Sequence, residues 1–257
     1  MYLTWLDSNS WLIEMAGQRI LLDPWLVGPL VFGNAPWLFQ SDRPQPRPIP
    51  ESIDLILLSQ GLEDHAHPPT LKALDRGIPV VASENAAKVV QELGYTQVTT
   101  LKHGDRTTIG QLSIQAVPGS PIGPFLTENG YVLTSQADHT SLYYEPHGYH
   151  SPMLQELAPI DVVITPIVSL EIPLLGPVIQ GDKSAIEAVR LLKPQVILPT
   201  AAGGDVTFGG LLIQVLRGKG DAAEFRTKLA QEKCSTQLLE PKPGDRFEVP
   251  LAQKIPS

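Results

Sequence analysis

The sequence predicts an α/β (α+β) protein in which two β-sheets pack face to face and helices cover their outer faces, a four-layer αββα sandwich. Three observations predict it. Short apolar runs of strand length recur along the chain, single helix-length segments fall between them in both halves, and no linker separates those halves. With 257 residues, 42% of them hydrophobic and 18% charged, the chain has apolar material for a sizeable core and little room for a disordered tract. One domain spanning 1–257 is the expectation.

Taken in order, Tyr2 to Leu6, Ser10 to Met15 and Arg19 to Leu22 read as strands, with Ala16-Gly17-Gln18 as a hairpin turn. They stop at Asp23-Pro24-Trp25. From Trp25 to Pro50 the composition turns to Pro, Gly and aromatic residues, and its Arg43-Pro44-Gln45-Pro46-Arg47-Pro48-Ile49-Pro50 end can hold neither helix nor central strand, so a long surface loop is expected. Ile53 to Leu58 is a nearly continuous apolar run, as in a strand buried on both faces. Pro68 and Pro69 suit the first turn of a helix that carries Leu71 and Leu74. A strand (Pro79 to Ala82), a helix (Asn85 to Leu93) and four strands follow, at Gln97 to Leu101, Leu112 to Val117, Gly130 to Thr134 and Ser141 to Tyr144. The second half continues with helix Pro152 to Leu157, strand Asp161 to Thr165, helix Lys183 to Leu192 and strand Val196 to Leu198. Helices near Leu211 to Arg217 and Asp221 to Glu232 precede a last strand near Thr236 to Leu239.

Nineteen Lys and Arg against 27 Asp and Glu give a net charge of -8, with no basic run, so a surface that tracks nucleic-acid phosphates is not expected. The lone Cys234 cannot close an internal disulfide, which suits a reducing, cytoplasmic compartment. The N-terminus has no basic leader followed by an apolar stretch. No segment reaches the roughly 18 uninterrupted apolar residues of a membrane span.

Five features in order carry a family resemblance: strands ending at Asp23-Pro24-Trp25; the run Asp54 to Ser59 leading into Gln60-Gly61-Leu62-Glu63-Asp64-His65; the helix-strand-helix stretch through Pro79-Val80-Val81-Ala82 and Glu92-Leu93-Gly94-Tyr95; Gly130-Tyr131-Val132 leading to Ser141-Leu142-Tyr143-Tyr144; and Val196-Ile197-Leu198-Pro199-Thr200. Together they resemble the metallo-β-lactamase superfamily, in particular the branch of ascorbate-6-phosphate lactonase and the phospholipase D that cleaves N-acyl ethanolamine lipids. The resemblance implies a buried strand delivering a His-x-His-x-Asp-His turn that holds two zinc ions around a shared hydroxide. It also implies a further histidine near Gly119-Ser120-Pro121, an aspartate after Ser141 to Tyr144, and a last histidine after Pro199-Thr200. This chain has Gln60, Leu62 and Ala201 at three of those positions and Glu145-Pro146-His147-Gly148 at a fourth, while Asp64 and His65 match. Leucine and alanine offer no donor, and an amide oxygen is a poor zinc ligand.

The resemblance therefore implies a divergent hydrolase with the two-metal centre largely lost, acting on an ester, lactone or phosphoester of a lipophilic small molecule. Asp64, His65, Glu145 and His147 are the candidate catalytic residues. Asp64 and His65 are the candidate ligands of a single zinc, manganese or iron ion, completed by Glu145, His147 or His67, or of no ion at all. Glu145 and His147 can also act without metal, the carboxylate orienting the imidazole or serving as base. His150, His139 and His103 are expected at the surface, and Ser120 lacks the pattern of a nucleophile elbow. Thr200 to Asp205 is either an anion-cradling nest or an ordinary glycine turn. The apolar segment Pro166 to Gly181, with Leu170, Ile172, Leu174, Leu175, Val178 and Ile179, lines a lipophilic pocket, touches a membrane surface, is buried between two copies of the chain, or is a buried crossover. Trp25, Trp37, Leu38 and Phe39 either roof the same mouth or pack on the sandwich. The other functional class that fits is a catalytically silent protein that binds a ligand or partner.

Overall fold

Period-two alternation in the early strands separates two sets of side chains. Leu3, Trp11, Ile13, Ile20 and Leu22 point one way, and Leu12 and Leu21 the other. The computed structural model describes residues 1–123, 125–173, 176–201 and 203–252. It builds these strands into one of two seven-stranded sheets. Ala16 and Gly17, at φ 53° and 74°, make the tight turn that pairs Trp11–Met15 with Gln18–Leu22. The first sheet runs in the order Arg246–Glu248, Tyr2–Trp5, Trp11–Met15, Gln18–Leu22, Leu55–Leu58, Val80–Ala82 and Val98–Thr100. The second runs Gln237–Leu238, Val196–Leu198, Val162–Ile164, Ser141–Tyr144, Leu126–Ser135, Leu112–Ile122 and Arg106–Ile109.

Each sheet is half antiparallel and half parallel, and the parallel strands are the continuous apolar runs, because helices cover the face that the other sheet does not. Leu55, Leu57, Ile114, Tyr131, Leu142 and Val162 fill the space between the sheets. Ile56, Leu58 and Val80 pack outward against Leu71 of helix Pro68–Ala73 and Ala86 and Val90 of helix Glu84–Glu92. Tyr143, Val163 and Ile197 do the same against Val189 and Leu192 of helix Lys183–Leu192 and Phe225 and Leu229 of helix Ala222–Gln231. Three cores separate four layers, which is the αββα sandwich that the sequence predicts.

Four local expectations change. The loop from Trp25 to Pro50 contains two short strands, Leu30–Val31 and Gln40–Asp42, which form a small sheet with Thr207–Gly209. Pro166 to Gly181 is a hairpin, Ser169–Ile172 with Gly176–Ile179, joined by Arg217–Lys219 rather than a loop. Both depend on partners far along the chain, which local composition does not reveal. Pro152–Glu156 is a single 3₁₀ turn, and the helix at Leu211–Val215 stops before Arg217, which belongs to a strand. Leu174 and Leu175 of the hairpin and Ala202 of the glycine turn lie outside the described residues.

The early loop is fastened over one end of the sandwich by Asp7. Its fully buried carboxylate accepts from Arg43 Nε at 2.9 Å, Arg47 Nε at 2.7 Å and the backbone N–H of Asp205 at 2.8 Å. Burial pushes the Asp7 carboxyl up, but Arg47, the Asp205 amide and Arg43 outweigh it and hold it below the usual range. Arg43 also lies 3.8 Å over the Trp25 ring. Of the Thr200 to Asp205 turn, the Asp205 N–H is given to the chain's own carboxylate.

Candidate active site

The C-terminal ends of three strands deliver the candidate residues to one place. Leu55–Leu58 leads into Ser59 to His65, Ser141–Tyr144 into Glu145 to Gly148, and Val196–Leu198 into Thr200 and Ala201. Asp23, at the end of Gln18–Leu22, is wholly buried and acts as the hub. Its carboxylate accepts from the Ser59 N–H at 2.8 Å, from the Tyr144 hydroxyl at 2.7 Å and from His65 Nδ1 at 2.7 Å. His65 Nε2 then lies 3.1 Å from Asp64 Oδ2 and 3.3 Å from the Asn9 amide. Burial pulls the His65 pKa down, yet Asp64 and Asp23 on either side outweigh it and raise it well above the ordinary value. Burial likewise opposes ionisation of Asp64, and His65 and His147 reverse that, leaving its carboxyl below the usual range. Asp64 Oδ1 is buried and has no partner.

The second half of the site is His147. Its Nδ1 lies 2.7 Å from Oε1 of Glu128, a buried carboxylate on the Leu126–Ser135 strand. His147 is therefore held as His65 is, by a carboxylate at Nδ1, which leaves Nε2 as the nitrogen available to a ligand. Ring centroids of the two histidines are 5.2 Å apart, and donor atoms of Asp64, His65 and His147 all lie within 4.8 Å of one another. Glu145 does not orient the imidazole, contrary to the sequence expectation. It is fully buried and accepts from the backbone N–H groups of His147 at 3.2 Å and Tyr149 at 2.8 Å, shaping the loop instead. Burial and the neighbouring Glu128 push the Glu145 carboxyl well above the carboxylate range. For Glu128, burial opposes ionisation but His147 overcomes it and the shift is downward.

Two glycines make this packing possible. A Cβ on Gly119 would lie 2.9 Å from Glu128 Cγ and 3.2 Å from Glu145 Oε1, so the place of a family histidine in that stretch is filled by the two glutamates. Gly148, at φ 78°, would place a Cβ inside the Gln180 carbonyl; its absence lets Gln180 N–H reach the His147 carbonyl at 2.7 Å and fixes the loop.

The other sequence candidates separate from the cluster. Leu62 is 42% exposed, and the buried Gln60 leaves its Oε1 without a partner. His67 does not join Asp64: it faces the early loop, between Thr70 Oγ1 and the Pro29 carbonyl, and burial takes its pKa down to about 4. His150, expected at the surface, is partly buried against Tyr143, its Nδ1 3.2 Å from the phenol oxygen, and burial takes it to about 4. His103 and His139 are exposed as expected. Ser120 is buried, with its N–H donated to Glu128 Oε1 at 3.1 Å and its hydroxyl turned to the Pro121 carbonyl. Sequence reasoning missed Glu128; its one signal was an acid directly ahead of an apolar strand.

Asp64 and His147 form the floor of a cavity of about 370 Å³. Its walls are Leu30, Phe32 and Phe39 of the early loop, Leu170, Ile172, Val178 and Ile179 of the hairpin, and Phe208, Leu212, Ile213 and Leu216. Ser8 and Ala201 complete the lining. Of Trp25, Trp37, Leu38 and Phe39, Phe39 lines the cavity, Trp25 is buried, and Trp37 and Leu38 are exposed.

Known proteins resemble this chain throughout. A UPF0173 metal-dependent hydrolase of Pyrococcus furiosus is 28% identical, over 96% of this chain and 98% of its own. One from Methanopyrus kandleri is 23% identical over 96% and 100%. Among solved structures, an isothiocyanate hydrolase from Delia radicum gut bacteria superposes with a TM-score of 0.69 at 19% identity, covering 97% of this chain and 99% of that one. A possible metal-dependent hydrolase from Veillonella parvula gives 0.72 at 12% identity, with the same coverage. These structures share the fold. The family model of the beta-lactamase superfamily domain matches residues 2–201, and the chain belongs to that family.

Proposed function

We propose that the chain is a divergent hydrolase of this fold that cleaves an ester or lactone of a lipophilic small molecule, using one divalent cation in place of the usual pair. The observation that carries this reading is the meeting of Asp64, His65 and His147, of which Asp64 and His147 line the floor of an otherwise apolar cavity and His65 lies buried behind them. The family's usual donor set for two ions is not present: Leu62 and Ala201 have no donor, Gln60 offers only an amide, and Glu128 and Glu145, which form a second donor group, share His147 with the first. One ion does fit. Two imidazoles and a carboxylate match the three protein ligands of a catalytic zinc site, and the same set suits iron or manganese. Bound there, a divalent cation lowers the pKa of a bound water and polarises a carbonyl.

The chain supplies the rest. Asp23 and Glu128 hold Nδ1 of the two histidines, so each ring is fixed in tautomer and direction before any ligand arrives. Phe32, Phe39 and the hairpin residues hold the lipophilic part of the substrate and exclude water from the bond to be cut. The relatives described as metal-dependent hydrolases support the same class of chemistry.

Metal analysis of the purified protein together with hydrolysis of p-nitrophenyl octanoate tests this. About one equivalent of metal is expected, with activity lost in His147→Ala and reduced by roughly 10- to 100-fold in Glu128→Gln, which removes the charge behind the ring. Protein without metal and without turnover would instead be a ligand-binding member of the fold.

A further inference from the structure

The geometry points to an uncharged substrate: the cavity selects neutral carbonyl compounds over carboxylates and phosphoesters of the same length. This deepens the hydrolase reading above and rests on the same cavity. No lysine or arginine is among the described residues that line it, and its only charged or titratable lining groups are Asp64 and His147. The nearby guanidinium groups are spent elsewhere. Arg43 and Arg47 close on Asp7, and Arg43 is almost wholly buried in doing so. Arg217 and Lys219 sit on the roof strand with their side chains in solvent.

Beneath the floor the balance is negative. Asp23, Asp64 and Glu128 bring three carboxylates to the two histidines, and Glu145 brings a fourth acid. An anionic substrate entering between apolar walls would lose its hydration with no lysine or arginine among the described wall residues to pair with it, above a floor packed with acids. A neutral ester, lactone or related carbonyl compound carries no such penalty, and the phenylalanines and aliphatic residues of the wall match its apolar body. The phosphoester alternative left open by the sequence is the one that this site disfavours.

Equilibrium binding of octanamide and octanoate, which match in length and differ in charge, tests the inference without relying on turnover. Calorimetric titration of metal-free protein and of protein with one equivalent of Mn²⁺ should show octanamide bound more tightly in both, by on the order of tenfold. The variant Phe208→Arg places a cation at the cavity wall, where Phe208 is 44% exposed. It should narrow the difference, which a mere contrast in ligand solubility would not do. Octanoate bound as tightly as octanamide, no binding of either compound, or an unchanged ratio in Phe208→Arg would overturn the proposal. Octanamide binding without any hydrolysis of p-nitrophenyl octanoate would sink the hydrolase reading and leave the charge selection standing.

Discussion

In the stretch Gly119-Ser120-Pro121, where the resemblance implies a histidine, the structure packs two acids against Gly119. Glu128 and Glu145 occupy the room that a side chain on Gly119 would need, with the backbone N–H of Gly130 also only 3.2 Å from the missing Cβ. Putting a family histidine back should therefore overpack the site. We expect Gly119→His to lower stability by about 1–3 kcal/mol, measured by urea unfolding, and Gly119→His with Glu128→Ala to recover part of the loss. A single variant as stable as the parent would show that the glutamates yield freely. Legibility at this scale was uneven. Asp64 and His65 were readable because they follow a buried strand in a fixed motif, and His147 because it follows another strand, beside Glu145. Glu128 was not readable, because its partner lies 19 residues away and only strand pairing and loop closure bring the two to 2.7 Å.

Among the elements, the early loop and the 200–205 turn are held by a single carboxylate. The Asp7 clasp fixes the segment that carries Phe32 and Phe39 over the cavity. Because the Asp7 pKa is depressed in the folded state, its contribution is present above the unfolded value of about 3.9 and is lost as pH falls through the folded value. Asp7→Asn should cost about 3–5 kcal/mol at neutral pH, since it leaves Arg43 buried without its anion, and should flatten the acid limb of a stability curve followed by circular dichroism. An unchanged acid limb would mean that another carboxylate sets it. The sequence showed the proline-rich stretch but not this role. Arg43 and Arg47 read there as loop charges, and their partner lies 36 and 40 residues earlier.

For the whole molecule, hydrophobic periodicity was enough to find the inner strands of both sheets and most of the helices that cover them, because burial on two faces leaves a continuous apolar run wherever strands are parallel, but it missed the edge strands Arg106–Ile109 and Arg246–Glu248. The roof was not legible. Its small sheets pair Gln40–Asp42 with Thr207–Gly209 and Ser169–Ile172 with Arg217–Lys219, contacts that span much of the chain and leave no local signature. That roof turns a ring of buried acids and histidines into the floor of a lipophilic cavity, and the account of function depends on how many cations the floor holds. Anomalous diffraction from a crystal grown with Mn²⁺ or Zn²⁺ measures this directly. One peak is expected, bounded by Asp64, His65 and His147 and absent in His147→Ala. Two peaks bridged by a shared oxygen, or none in metal-saturated protein, would contradict it.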